Sequence, residues 1–368
     1  MKKRITFHTT VSLIVLGLLT IYSGCKKDKN QPVEKLKYAW VSGKADSTGY
    51  GMILFSPDAG ETWVRQGQGS AALLGVDVSD IWAIDENNVW ATGSPNAILK
   101  TTDGGQNWTR VQPPENPSGA ATAPICIVNK TDIWIGGANN DHGYNGMVYK
   151  STDGGSTWTM LDTSFFHNKS IQGLWAVSPE KVYAVGGQTT EGTTNLSGFI
   201  SLTVDGGATW NGVTLANNYN KWEWIGVISS GNTIVVYGGK SHYAVSTDGG
   251  NTWKNDSVPG IGGGGAPADI NDLLMLDDQV WWGAFDYGNI VITNDGGTSW
   301  TLQPSETAAG GGNFLVGIDT WDGNVALCVP TSNFYPPFCP IVKTENRGAS
   351  WEKKYICRSD LWKVTFIK

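Results

Sequence analysis

Between residues 80 and 111 the apolar positions fall into four short runs separated by polar turns. Asp80-Ile81-Trp82-Ala83-Ile84 is followed by Asp85 to Asn88, then by Val89-Trp90-Ala91-Thr92-Gly93. Ala97 to Thr101 makes a third run, and Trp108 to Val111 a fourth. Runs this short, rich in β-branched and aromatic residues and bounded by Asp, Asn and Gly, predict β-strands. The second run recurs as Ile133 to Gly137, Val182 to Gly187, Val235 to Gly239 and Val280 to Gly283.

The turn between the third and fourth runs recurs more sharply. Ser246-Thr247-Asp248-Gly249-Gly250-Asn251-Thr252-Trp253 has counterparts at Ser56 to Trp63, Thr101 to Trp108, Ser151 to Trp158, Thr203 to Trp210 and Thr293 to Trp300, with a worn copy at Thr344 to Trp351. The closing Trp residues lie 43 to 52 residues apart. Four strands in a repeat of that length are one propeller blade, and seven copies predict an all-β, seven-bladed β-propeller over residues 37–368. Leu36 to Gly43 matches a second strand with no first strand before it. The missing strand is supplied by Leu361 to Ile367, which should pair with it and close the ring, removing an exposed edge.

In each copy the hydroxyl and the carboxylate, Asp58, Asp103, Asp153, Asp205, Asp248 and Asp295, are placed to accept backbone N–H groups that a tight turn leaves unpaired. The second Gly, present in all seven copies, is expected at positive φ, and the Trp at the core. These are structural roles. The box lacks the multiple oxygen ligands and bidentate Glu of a calcium loop, so no metal is expected there. In the worn copy Asn346 replaces Asp, a change that hydrogen bonding tolerates better than metal binding would.

Composition agrees with a turn-rich β domain, with 48 Gly and 18 Trp among 368 residues and 16% charged. Lys2, Lys3 and Arg4, then an apolar stretch from Val11 to Ile21, then Tyr22-Ser23-Gly24-Cys25, read as a lipoprotein signal peptide over residues 1–24 with lipidation at Cys25. Residues 25–36 form a polar, flexible tether. The expected location is extracytoplasmic, anchored by lipid at the outer membrane or cell surface. Cleavage would take the net charge from −7 to −10, which argues against nucleic acid.

The box Ser/Thr-x-Asp-x-Gly-x-Thr-Trp resembles the Asp box, or bacterial neuraminidase repeat. With seven blades, a lipoprotein signal and the Val-Trp-Ala-x-Gly strand, the chain is most similar to the photosystem II assembly and stability factor family. It is more distantly similar to sialidase and sortilin-type propellers. The resemblance implies a binding or assembly propeller rather than an enzyme. The sialidase arginine triad is not matched: the mature chain has only Arg65, Arg110, Arg347 and Arg358. The basic patch of the photosystem factor is also absent.

In an up-and-down blade the one-to-two turns share a face with the boxes, and both are tight. The opposite face carries longer loops, 139–146, 188–197, 254–269, 303–312 and 330–338, where function is expected. Tyr144, Tyr219, Trp222, Tyr287 and Tyr335 are candidate ligand-binding residues there, with His142 nearby, and suit a protein or glycan partner. An alternative reading is a glycoside hydrolase using Glu223, Asp269 and Asp272 near the channel mouth, which would need suitably spaced carboxyls. Cys328 and Cys339 are expected to form a disulfide across the 330–338 loop. Neither a zinc-spaced Cys/His cluster nor a phosphate loop is present in the sequence, so no cofactor is expected, and the chain is read as a monomer.

Overall fold

The computed structural model describes residues 37–112, 120–139, 145–189, 196–216, 221–263, 266–305, 313–332 and 338–367. They form seven four-stranded antiparallel sheets arranged as the blades of a propeller. The second blade follows the sequence closely, with strands Asp77–Ala83, Val89–Ser94, Ala97–Thr101 and Thr109–Val111. The first blade takes its innermost strand from the other end of the chain. Leu361–Phe366 pairs antiparallel with Ala39–Gly43, Val41 facing Val364 and Ala39 facing Phe366.

The core is divided into seven clusters, each lying between neighbouring blades. Trp40 and Ile53 of the first blade, for example, pack with Ile81, Val89 and Trp108 of the second. The last cluster joins Val41 and Leu54 to Leu327, Ile341 and Val364, so burial itself closes the ring. Lys343 seals the same junction at the rim. Its side chain is only 2% exposed and is ion-paired with Glu61 of the first box and, at 2.7 Å, with Glu345.

Each box is a hydrogen-bonded turn with the same pattern throughout. In the fifth, Ser246 Oγ donates to Asp248 Oδ1 and accepts from Gly250 N, while Thr252 donates its N–H to Oδ1 and its hydroxyl to Oδ2. In the worn copy Asn346 Oδ1 accepts from Thr344 Oγ1 and Ser350 N, and its amide nitrogen donates to Ser350 Oγ. The second Gly has φ between 80° and 93° in all seven boxes. That glycine is also where the preceding blade touches the box: a Cβ on Gly155 would lie 2.1 Å from the Trp90 ring, and one on Gly250 2.0 Å from the Tyr183 hydroxyl. The box therefore joins blades as well as strands.

The predicted Cys328–Cys339 disulfide is not formed; both are buried thiols. Cys328 pairs across the strands with Val342, three residues beyond Cys339. An odd offset puts the two side chains on opposite faces of the sheet. Cys328 accordingly lies in the cluster toward the sixth blade and Cys339 in the cluster toward the first. The residue opposite Cys339 is Cys357.

Candidate functional site

Three regions offer chemistry: the central channel, the box face and the long-loop face. The channel is a cavity of about 230 Å³ walled by the innermost strands. Every blade has a register shift in this wall, and a residue within each shift lines the channel. Ser79 is skipped between Val78 and Asp80, Gln172 between Ile171 and Gly173, and Asn271 between Ile270 and Asp272. β-Bulges re-aim side chains, and here they turn one residue per blade inward.

The residue after each bulge forms a second layer, and three of its members are charged: Asp80, Asp272 and Lys363. Lys363 Nζ lies 2.8 Å from both oxygens of Asp272. Asp272 also accepts from Tyr237 Oη and from the N–H groups of Leu273 and Ile318. Asp80 accepts from the N–H groups of Ile81 and Ile125, the latter on the next blade. Asp319 repeats the pattern one step along, accepting from Thr320 N and Phe366 N. These carboxylates stitch neighbouring inner strands together. Burial pushes the Asp80 carboxyl up to about 6, against the pull of Lys363 and its two N–H donors, with Asp272 adding to the rise. Burial works against the Lys363 ammonium, but Asp272, Tyr237 and Asp80 outweigh it and raise its pKa.

On the box face, lysines reach from one blade to the next. Lys100 Nζ donates to Gly154 O, Lys150 Nζ to Gly206 O and Pro179 O, and Lys181 Nζ to Gly249 O. The first two also stand 4.7 and 4.6 Å from the ring centres of Trp90 and Trp134.

The described part of the long-loop face gathers residues from the fifth and sixth blades. Trp222, 41% exposed, precedes the innermost strand of the fifth blade, Trp224–Ser230. Lys240 Nζ lies 5.5 Å from its ring centre, and the His242 ring lies 6.3 Å away. Lys240 and Ser241 have φ of 60° and 61°, and Tyr287, in the matching turn of the sixth blade, also has 61°. Left-handed backbone at non-glycine residues carries a cost and tends to mark sites where a side chain must be presented. Asp269 Oδ1 accepts from Lys240 N, and Asp269 N donates to Asp286 Oδ2, so the two turns are tied together. Burial raises the Asp286 carboxyl despite its bonds from Asn271 and Asp269. Tyr287 packs edge-on against Phe314 of the seventh blade, ring centres 6.0 Å apart.

The structure thus brings Trp222, Asp269 and Tyr287 into one connected surface. Tyr144, Tyr219 and Tyr335 lie outside the described residues, as does Cys25. Asp272 is not at the mouth with Asp269. It lies in the channel wall, 3% exposed, with Lys363, Tyr237 and two N–H groups on its oxygens. A carboxylate so engaged is a structural anion rather than an acid or base for an incoming sugar. Among the described residues no group of three or more His, Cys, Asp or Glu side chains is placed to hold a metal ion. Lys240 and His242 escaped the sequence reading because they belong to the short connection Gly239–Ser241 and the strand after it, not to one of the long loops.

A family model described as photosynthesis system II assembly factor YCF48 matches residues 37–165 and 76–232, together more than half of the chain. The chain belongs to this family. Among solved structures, YCF48 bound to D1 peptide aligns with a TM-score of 0.55 at 16% identity, over 75% of this chain and 80% of that one. YCF48 from Cyanidioschyzon merolae gives 0.55 at 17% identity, over 81% and 94%. An ancestral GH74 enzyme gives 0.55 at 18% identity, over 76% of this chain but 38% of the enzyme. At these identities the likeness is one of fold. No curated protein matches the chain in sequence.

Proposed function

We propose that this chain is a non-catalytic, lipid-anchored propeller outside the cytoplasm that binds a segment of a protein partner on its long-loop face. The observation that carries the reading is Trp222, exposed beside Lys240, with Lys240 and Tyr287 both in left-handed turns. An accessible indole beside an ammonium suits a peptide that offers an apolar or aromatic side chain and a carboxylate. Membership of the YCF48 family supports it, since a solved member is bound to a D1 peptide. Glycan hydrolysis is disfavoured by the engagement of Asp272.

The test is capture from cell-envelope extract by the chain from Lys26 onward, alongside a panel of polysaccharides and fluorogenic glycosides. The expected result is a protein partner whose binding weakens at least about tenfold in Trp222→Ala and in Lys240→Ala, each substitution removing one hot-spot contact. Turnover of any glycoside, or capture indifferent to both variants, overturns the proposal. Cys25 has its own assay. Labelled fatty acid should be incorporated into the chain in cells and lost in Cys25→Ser.

A further inference from the structure

Four of the seven blade junctions on the box face are bridged by a lysine, and the junction between the fifth and sixth blades has a cleft in that place. A lysine stands just before the box at Lys100, Lys150 and Lys343, and another at the start of a second strand, Lys181. Each sends its ammonium across to the box of the next blade: to Gly154 O, Gly206 O, Glu61 and Gly249 O respectively. Two other junctions are filled differently, Gln66 Nε2 bonding Gly104 O, and Ile292 with Gln303 lying against Gly348.

Between the fifth and sixth blades the corresponding positions are Val245, facing Val235 as Lys150 faces Trp134, and Thr233, preceding Ile234 as Lys181 precedes Val182. Both are short and uncharged. Tyr243 Oη crosses, to Gly297 O at 2.7 Å. A cavity of about 380 Å³ remains, lined by Thr233 and Val245, by Tyr243, Trp253 and Trp281, and by the acidic Asp278 and Asp295. Its acceptor side is present, with Asp278 O also taking a long bond from Gln279 Nε2 at 3.4 Å. Gly296 N donates to Gln279 O at 2.9 Å, as Gly206 N donates to Glu180 O at 3.0 Å. Asp278 and Gly296 therefore take the places of Pro179 and Gly206, whose carbonyls hold the Lys150 ammonium.

We propose that this cleft is a binding site for an alkylammonium group, the side chain of a lysine on a partner protein, seated where the chain's own lysines sit at other junctions. The chemistry follows from those junctions: two backbone carbonyls, an aromatic wall, and a rim carrying Asp278 and the box carboxylate of Asp295. Hydrogen bonds from Thr293 and Ser299 hold Asp295 below the usual carboxylate range, so it stays anionic. Carbonyls and ring faces both favour a cation over a neutral group of the same shape. Lys254 also lines the cleft, with its ammonium ion-paired to Asp256 at 3.2 Å. The site lies on the opposite face from Trp222 and does not depend on the reading given to that face.

The experiment titrates n-butylammonium chloride into the ¹⁵N-labelled chain and follows the indole N–H resonances of Trp253 and Trp281. Parallel titrations use n-butanol, Nα-acetyl-lysine amide and Nα-acetyl-arginine amide. Saturable shifts are expected with the ammonium and the lysine amide, with a dissociation constant on the order of 1 mM, as suits a single anchoring side chain. Val245→Lys, and separately Thr233→Lys, should place the chain's own ammonium in the cleft and weaken butylammonium at least about tenfold. Equal response to butanol, no saturation, or undiminished binding in whichever variant folds overturns the proposal. Tighter binding of the arginine amide than of the lysine amide overturns its assignment to lysine.

Discussion

At the scale of single residues the box separates two glycines that look alike in the sequence. The first accepts substitution within the chain itself, as Ala59 and Arg347 stand there with φ of 56° and 57°. The second does not, because it has both positive φ and the neighbouring blade against it. Gly249→Ala meets only the flexible Lys181 ammonium, 3.8 Å from the new Cβ, whereas Gly250→Ala collides with the Tyr183 hydroxyl at 2.0 Å. Left-handed backbone plus overpacking gives a cost of about 2–5 kcal/mol for Gly250→Ala and about 1 kcal/mol for Gly249→Ala. Chemical denaturation of the two variants checks the difference.

The box carboxylates make a pH prediction at the same scale. The Thr hydroxyl, the backbone N–H and the Ser or Thr at the start of the box hold Asp153, Asp205 and Asp248 down to about 2. A folded pKa below the unfolded value of about 3.9 means a stabilisation fully present above pH 4 and lost as pH falls through 2. The melting temperature should therefore fall across that window. Asn346 shows that an amide can fill the role, so Asp248→Asn should lower it less than Asp248→Ala at neutral pH.

Blades and strands were legible because a box and four apolar runs recur with a fixed order. Ala97–Thr101 is where the third apolar run places it, and the closing strand was found by noticing which strand the first blade lacked. The contacts between blades were legible only in part. Lysine before the box in three copies was a visible signal, yet its target is some 54 to 56 residues away and belongs to another blade. The cysteine pairing failed for a related reason. Proximity in sequence across a loop says nothing of the face on which a strand residue points unless the register is known. The connected surface at Trp222 was half legible: an aromatic on a long loop can be read, but a left-handed Lys240 cannot.

Two measurements belong to this scale of elements. Lys150→Met removes both carbonyl contacts of one latch and should cost about 1–3 kcal/mol while leaving the partner site on the other face untouched. Cys339, pushed up to about 12 by burial, Asp360 and Cys357, should resist alkylation at pH 8 in the folded chain and react only on unfolding.

For the whole molecule, the closing strand does more than cover an edge, because it carries Lys363 into the channel. Asp272 reaches the ring from the sixth blade, and its charge is met by an ammonium from the last segment of the chain, two blades away. Closure and charge compensation are therefore one event. Lys363→Met should leave Asp272 buried with only a phenol and two N–H groups for company, at a cost of about 3 kcal/mol, the penalty for an uncompensated buried charge. Asp272→Asn in the same chain should recover much of that loss, because the orphaned charge goes with it. A double-mutant cycle by chemical denaturation measures this coupling. If the two substitutions simply add, the ring is held by its strands and core alone and the ion pair is incidental to closure.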